Sequence, residues 1–238
     1  MVDQTAVAPA APRTDARAGS SALAARRWIL ILAPALAGVC AVVAAAADPG
    51  VDQDGAAMYA AYAADPDSVQ VKSLAYHLSY ALMGAAALML VGLVRRRGGW
   101  LANVGGVLAW LGISTIPGFL LADFYDSAIG QVFGAEGTVQ VNGQMEGMWA
   151  LMLMAATGGL GLLLGLPVAA LAAWRGGLVP WWAPAAVVAG LGGGFMAIGA
   201  NVAGAAVMTA GFAVLSVALA RADRSAWTGS LPASGPAD

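Results

Sequence analysis

Long apolar runs alternate along this chain with short polar or glycine-rich breaks, and we read them as six spans over about 28–47, 73–94, 100–122, 148–173, 181–199 and 201–220. Each lies near the roughly 20 residues that a helix needs to cross a hydrocarbon core. With no water to satisfy backbone groups inside a bilayer, runs of this kind are expected to be helices. Residues 181–220 form one apolar run that is too long for a single span. Gly199-Ala200-Asn201 is its turn signal, so the run is divided there into two helices joined by a tight hairpin.

The segments between the runs carry the remaining organisation. Residues 1–24 are Ala, Pro, Ser and Thr with scattered charge, a composition that predicts a disordered tail. Residues 222–238 read the same way, leaving 25–221 as one six-span domain. Arg26-Arg27, an apolar run and small residues before Asp48 are the parts of a signal peptide. That run exceeds the 7–15 residues of an h-region, so an uncleaved first span is expected. Ala56 to Ala64 reads as a short interfacial helix with Tyr59 and Tyr62 at headgroup level. In the third span, Pro117 removes one backbone hydrogen bond and predicts a kink. Segment 123–147 carries Tyr125, Ile129, Val132 and Phe133 at helical spacing and then turns glycine-rich and polar. Its first half is expected to extend the third span or to lie in the interface.

Composition sharpens the class. Of 238 residues, 60% are hydrophobic and 10% charged, against about 25% charged in soluble domains. The predicted fold class is an all-α integral membrane protein. The lone Cys40 excludes an intramolecular disulfide and a zinc ribbon. Gly161-x-x-x-Gly165 and Gly190-x-x-x-Gly194 permit close helix approach, and in a chain with 32 glycines they predict packing within the bundle rather than a dimer face.

Charge then orients the bundle. One set of loops and tails holds ten arginines, among them the topology signals Arg26, Arg27, Arg95, Arg96, Arg97, Arg175 and Arg221, against four aspartates, a balance of +6. The other holds Lys72 against seven aspartates and two glutamates, a balance of −8. Loops rich in arginine stay on the cytoplasmic side, so both termini are expected there. The Ala/Gly-rich, lysine-poor style suggests a bacterial source and a multi-pass protein of its plasma membrane. The bilayer is the expected partner, together with a second membrane subunit under one reading below. Nucleic acid is excluded outside, where clustered basic residues are missing.

Candidate chemistry gathers at the acidic side. His77, the only histidine, lies one turn into the second span, with Tyr80 on the same face. Asp123 and Asp126 share a face at the end of the third span. Glu146 opens the fourth, with Trp149 three residues on. Ionisable groups at span edges are costly in hydrocarbon and tend to face protein or water. Convergence of these groups would make a ligand or cation site, with His77 as the candidate metal ligand. The plainer alternative is that the carboxylates are solvated at helix ends and that His77 bonds a neighbouring carbonyl. Met145, Met148, Met152 and Met154 invite copper but are expected to pack. No cofactor is called for: one histidine forbids bis-His haem, and Asn201 is expected to serve the turn.

The absence of a phosphate loop followed by lysine excludes nucleotide hydrolysis by this chain alone. Three functions follow. The first is a small transport or ligand-binding membrane protein, or permease component, with an acidic outward vestibule. The second is a non-catalytic accessory subunit of a membrane complex. The third is an intramembrane enzyme acting on a lipid or prenyl substrate, with Asp123 or Glu146 as the carboxylic proton donor, and such catalysis requires a carboxyl pKa raised by burial.

Overall fold

The computed structural model describes residues 16–94, 97–222 and 227. It is all-helical, with no strand among the described residues. In chain order the helices are α1 (Ala16–Ala47), α2 (Gly55–Ala64), α3 (Pro66–Leu93), α4 (Gly99–Phe119), α5 (Leu121–Glu146), α6 (Trp149–Arg175) and α7 (Trp182–Ala189). The last of these runs into a π-helical segment, Gly190–Ile198, and α8 (Val202–Arg221) closes the fold. Five stretches are long and apolar enough to cross a membrane: Ser21–Ala47, Pro66–Leu93, Gly99–Glu146, Trp149–Arg175 and Val202–Arg221. The apolar run 182–198 is helical too but shorter.

Arg27 donates to the carbonyl of Ala220 at 3.2 Å, which brings the start of α1 beside the end of α8. We call this the termini end and the opposite one the distal end. The end of α3 joins the termini end, with Gly92 facing the Arg26 guanidinium, and the turn that follows carries Arg97 and packs through Gly98 against Ala172 and Arg175 of α6. Arg95 and Arg96 lie outside the described residues, as do residues 1–15 of the expected tail and most of 222–238. Residues 16–24, read from composition as part of that tail, belong to α1.

Small residues set the packing. Without a hydrophobic driving force between helices in lipid, close contact must come from shape. In α1, Ala33, Ala37, Ala41 and Ala45 recur every fourth position and are fully buried against α3 and α8. Ser79 of α3 donates to the carbonyl of Ala37 at 2.8 Å across this contact. Helices α4 and α6 approach so closely that a Cβ on Gly112 would lie 2.5 Å from the Leu162 nitrogen, and one on Gly165 2.8 Å from the Ala109 backbone. Both small-residue pairs are thus used inside the bundle, Gly161/Gly165 against α4 and Gly190/Gly194 against α8.

Two glycines turn the chain. Gly199, with φ 105°, ends the π-helical segment, and Asn201 caps α8 by accepting from Gly204 N at 3.0 Å. The expected hairpin thus has a positive-φ residue and an N-cap. Gly134, with φ 75° and ψ 172°, interrupts α5. Across it, Asn142 donates to Asp126 at 2.8 Å, whereas sixteen residues of unbroken helix would separate them by about 24 Å. Segment 121–146 is therefore a helical hairpin folded over the distal end. Its second arm, glycine-rich and polar in sequence, is helical, and the long apolar stretch from Gly99 bends rather than crossing as one rod. Helix α2 packs beneath this hairpin, with Gly130 against Ala63.

Candidate functional site

The start of α3 is fixed locally. Asp65 caps the helix by accepting from Ser68 N at 3.1 Å, and Pro66 occupies the first turn, where its missing N–H costs nothing. The Ser68 side chain, and then its backbone N–H, hold the Asp65 carboxyl below the ordinary carboxylate range. From that start, helical spacing turns Val69, Lys72, Ser73 and Tyr76 into the bundle, while Leu74, His77 and Leu78 face outward.

Lys72 is 6% exposed. A buried ammonium is tolerated only when paired and hydrogen-bonded, and this one is both. Its Nζ lies 3.3 Å from Asp123 Oδ2 and 3.7 Å from Asp48 Oδ2, and it donates to the Tyr62 hydroxyl. The ammonium also stands 4.2 Å from the centre of the Tyr62 ring, a cation–π contact. Each carboxylate is held by a further donor: Ser73 Oγ bonds Asp123 Oδ2 at 2.8 Å, and Gly50 N bonds Asp48 Oδ1 at 2.9 Å. The triad thereby ties the turn after α1 to α3 and α5.

Tyr62 joins α2 to the same cluster. It is buried rather than placed at headgroup level, and its carbonyl accepts from Ser127 Oγ at 2.8 Å. Burial, followed by the charges of Asp48 and Asp123, pushes the Tyr62 phenol above its ordinary value. Tyr59, on the same helix, is also raised, first by burial and then by Asp126 and Glu146.

Asp126 sits one turn beyond Asp123 in different surroundings. It is partly buried and accepts from Asn142, and among the described residues it forms no ion pair. The chain's single lysine is already committed to Asp48 and Asp123. Asp126 opens onto a cleft of about 580 Å³ between α4, the α5 hairpin and the start of α6. Tyr125 and Asn142 flank it, while Phe119, Leu151 and Met154 make the walls apolar. Such a cleft, largely apolar with a few convergent polar groups, has the form of a small-ligand site.

The residues singled out in the sequence divide accordingly. Asp123 and Asp126 meet at the distal end but serve different neighbours. Tyr80 is half-buried and stacks on Tyr76, centroids 5.6 Å apart. His77 is exposed on the opposite face of α3, Glu146 is exposed at the end of α5, and Trp149 is 78% exposed. Among the described residues no group of three or more His, Cys, Asp or Glu side chains is placed to hold a metal ion. Charge counting alone passed over Lys72, Asp48, Tyr62, Ser73 and Asn142. The available signal was Lys72 itself, the sole lysine, at the threshold of an apolar run that faces nine acids on its side of the chain.

No protein-family model matches this chain, and neither a curated protein nor a solved structure matches it.

Proposed function

We propose that this is a six-span protein of a bacterial inner membrane, with cytoplasmic termini and its distal end outward, that binds or transports a cationic ligand through the Asp126 cleft. The observation that carries the reading is the contrast inside one acidic cluster. Lys72 occupies Asp48 and Asp123, whereas Asp126 opens onto a cleft with no basic partner among the described residues. Arginine supports the orientation, because Arg27, Arg97, Arg175 and Arg221 gather at the termini end while the acids gather distally. An acidic mouth also raises the local concentration of cations.

Ligand-induced thermal shift of the detergent-purified protein tests this, using organic ammonium ions, short and long-chained, against organic anions. The ammonium ions raise the melting temperature of the native protein and fail to raise that of Asp126→Asn. Equal shifts in both proteins, or stabilisation by anions, would overturn the reading. Orientation is checked in whole cells with an impermeant maleimide after Cys40→Ala. Asp52→Cys is labelled and Arg97→Cys is not; the reverse pattern rules out the assigned topology.

A further inference from the structure

We infer that the ligand of the Asp126 cleft is an amphiphile, an alkyl or acyl chain carrying an ammonium head. This deepens, and rests on, the reading of Asp126 as a ligand-facing carboxylate. The cleft holds about 580 Å³, the size of a site for a drug-sized molecule and far more than a small hydrated cation fills. Its lining combines a few polar groups with a larger apolar wall. Asp126, Tyr125 and Asn142 cluster on α5, Ser114 and Thr115 add hydroxyls on α4, that of Ser114 bonded to the Leu111 carbonyl, and Phe119, Leu151 and Met154 present hydrocarbon and thioether.

A wholly polar ligand would leave its donors and acceptors unpaired against those walls, at a free-energy cost for each. An apolar chain leaves none. The α4 wall runs from Ser114 to Phe119, about 7.5 Å of helix rise, which gives a chain a track along the bundle. Met154 and Leu121 at its margins are each more than half exposed, so the cleft opens sideways, where a chain enters from the hydrocarbon phase while its head stays distal.

Charge selects the head group. Asn142 occupies Asp126 Oδ1, and Lys72 is held by other carboxylates. The cation for Asp126 therefore comes with the ligand, and an anionic head would be set against a carboxylate with no intervening base.

The test is equilibrium binding of radiolabelled dodecylammonium to the full-length protein in phosphatidylglycerol nanodiscs, whose lipid carries no ammonium, corrected for empty discs. Binding is saturable, is at least tenfold weaker in Asp126→Asn and in Met154→Trp, and is not displaced by methylammonium at the same concentration. The tryptophan fills the cleft from an exposed position and leaves the carboxylate intact, so it reports on the chain track even if Asp126→Asn folds poorly. Dodecyl sulfate does not compete. If methylammonium binds and competes as well as the long chain, the cation site stands and the amphiphile inference falls. If neither ammonium binds saturably, both fall. Unchanged binding in the two variants also overturns the inference. Replacing the disc lipid with phosphatidylethanolamine identifies the source of the head: competition assigns it to a bilayer lipid, and undiminished binding to an amphiphile delivered from elsewhere.

Discussion

Asp123 and Asp126 lie three residues apart on one helix, and the fold gives them opposite tasks. Asp123 faces inward to a buried lysine and a serine hydroxyl, and its charge is used within the protein. Asp126 faces a cleft, with an amide as its hydrogen-bond partner. Shared spacing and shared chemistry in the sequence thus conceal a division between a residue that fastens the distal layer and one that remains available to a ligand. The neighbour decides the difference: Lys72 reaches one carboxylate and not the other.

The largest expected effect tests the fastening half. Lys72→Met leaves Asp48 and Asp123 partly buried without their cation, and breaking such a pair by removing one partner costs about 3–5 kcal/mol. Chemical unfolding in mild detergent should show a loss near the lower end, because both carboxylates keep some exposure. A loss below about 0.5 kcal/mol, the scale of a solvated surface pair, would mean that the triad fastens nothing.

Next in size is the packing beneath the cleft. Gly112→Ala drives a methyl group into the α6 backbone, and overpacking of this kind costs about 1–3 kcal/mol. Because α4 and α6 form two walls of the cleft, the same variant should weaken ligand binding without touching Asp126. A variant as stable as the native protein would show that the two helices sit farther apart than described.

A smaller effect separates the clusters by pH. The Tyr62 phenol is raised in the folded protein, first by burial and then by Asp48 and Asp123. Its contribution to stability is complete below the ordinary tyrosine value near 10 and is lost as pH rises toward the folded value, because the unfolded chain releases the proton first. Phenolate absorbance assigned to Tyr62, from the difference between native protein and Tyr62→Phe, should therefore appear only on unfolding. Ionisation near pH 10 in the folded state would show that Tyr62 is not enclosed with the two aspartates.

Much of the helical order was legible in the runs themselves, because a hydrocarbon-length apolar segment has few alternatives to a helix. The turn at Gly199-Ala200-Asn201 was also legible, since glycine and asparagine there supply a positive φ and an N-cap. Less was legible in segment 121–146. Its reversal depends on Gly134, one glycine among several in that stretch, and the second arm packs back on the first, with Thr138 beside Gly130 and Asn142 on Asp126.

The site was half visible. Spacing put Asp123 and Asp126 on one face, but no spacing tells that Asp48, from the turn after α1, would arrive beside Lys72. His77 was singled out because it is the only histidine, yet helix phase relative to Lys72 and Tyr76 decides its side, and that phase became clear only with the buried face of α3. Tyr62 was misjudged for a related reason. Short interfacial helices place tyrosine at headgroups when nothing covers them, and here the α5 hairpin does.

The most direct measurement of the division is a side-by-side comparison of Asp123→Asn and Asp126→Asn for thermal stability and for dodecylammonium binding in the same nanodiscs. Asp123→Asn should lose stability, while Asp126→Asn should melt close to the native protein and bind at least tenfold more weakly. If Asp126→Asn proves the unstable one, or if it binds the probe as the native protein does, the two carboxylates do not divide the work as their surroundings indicate.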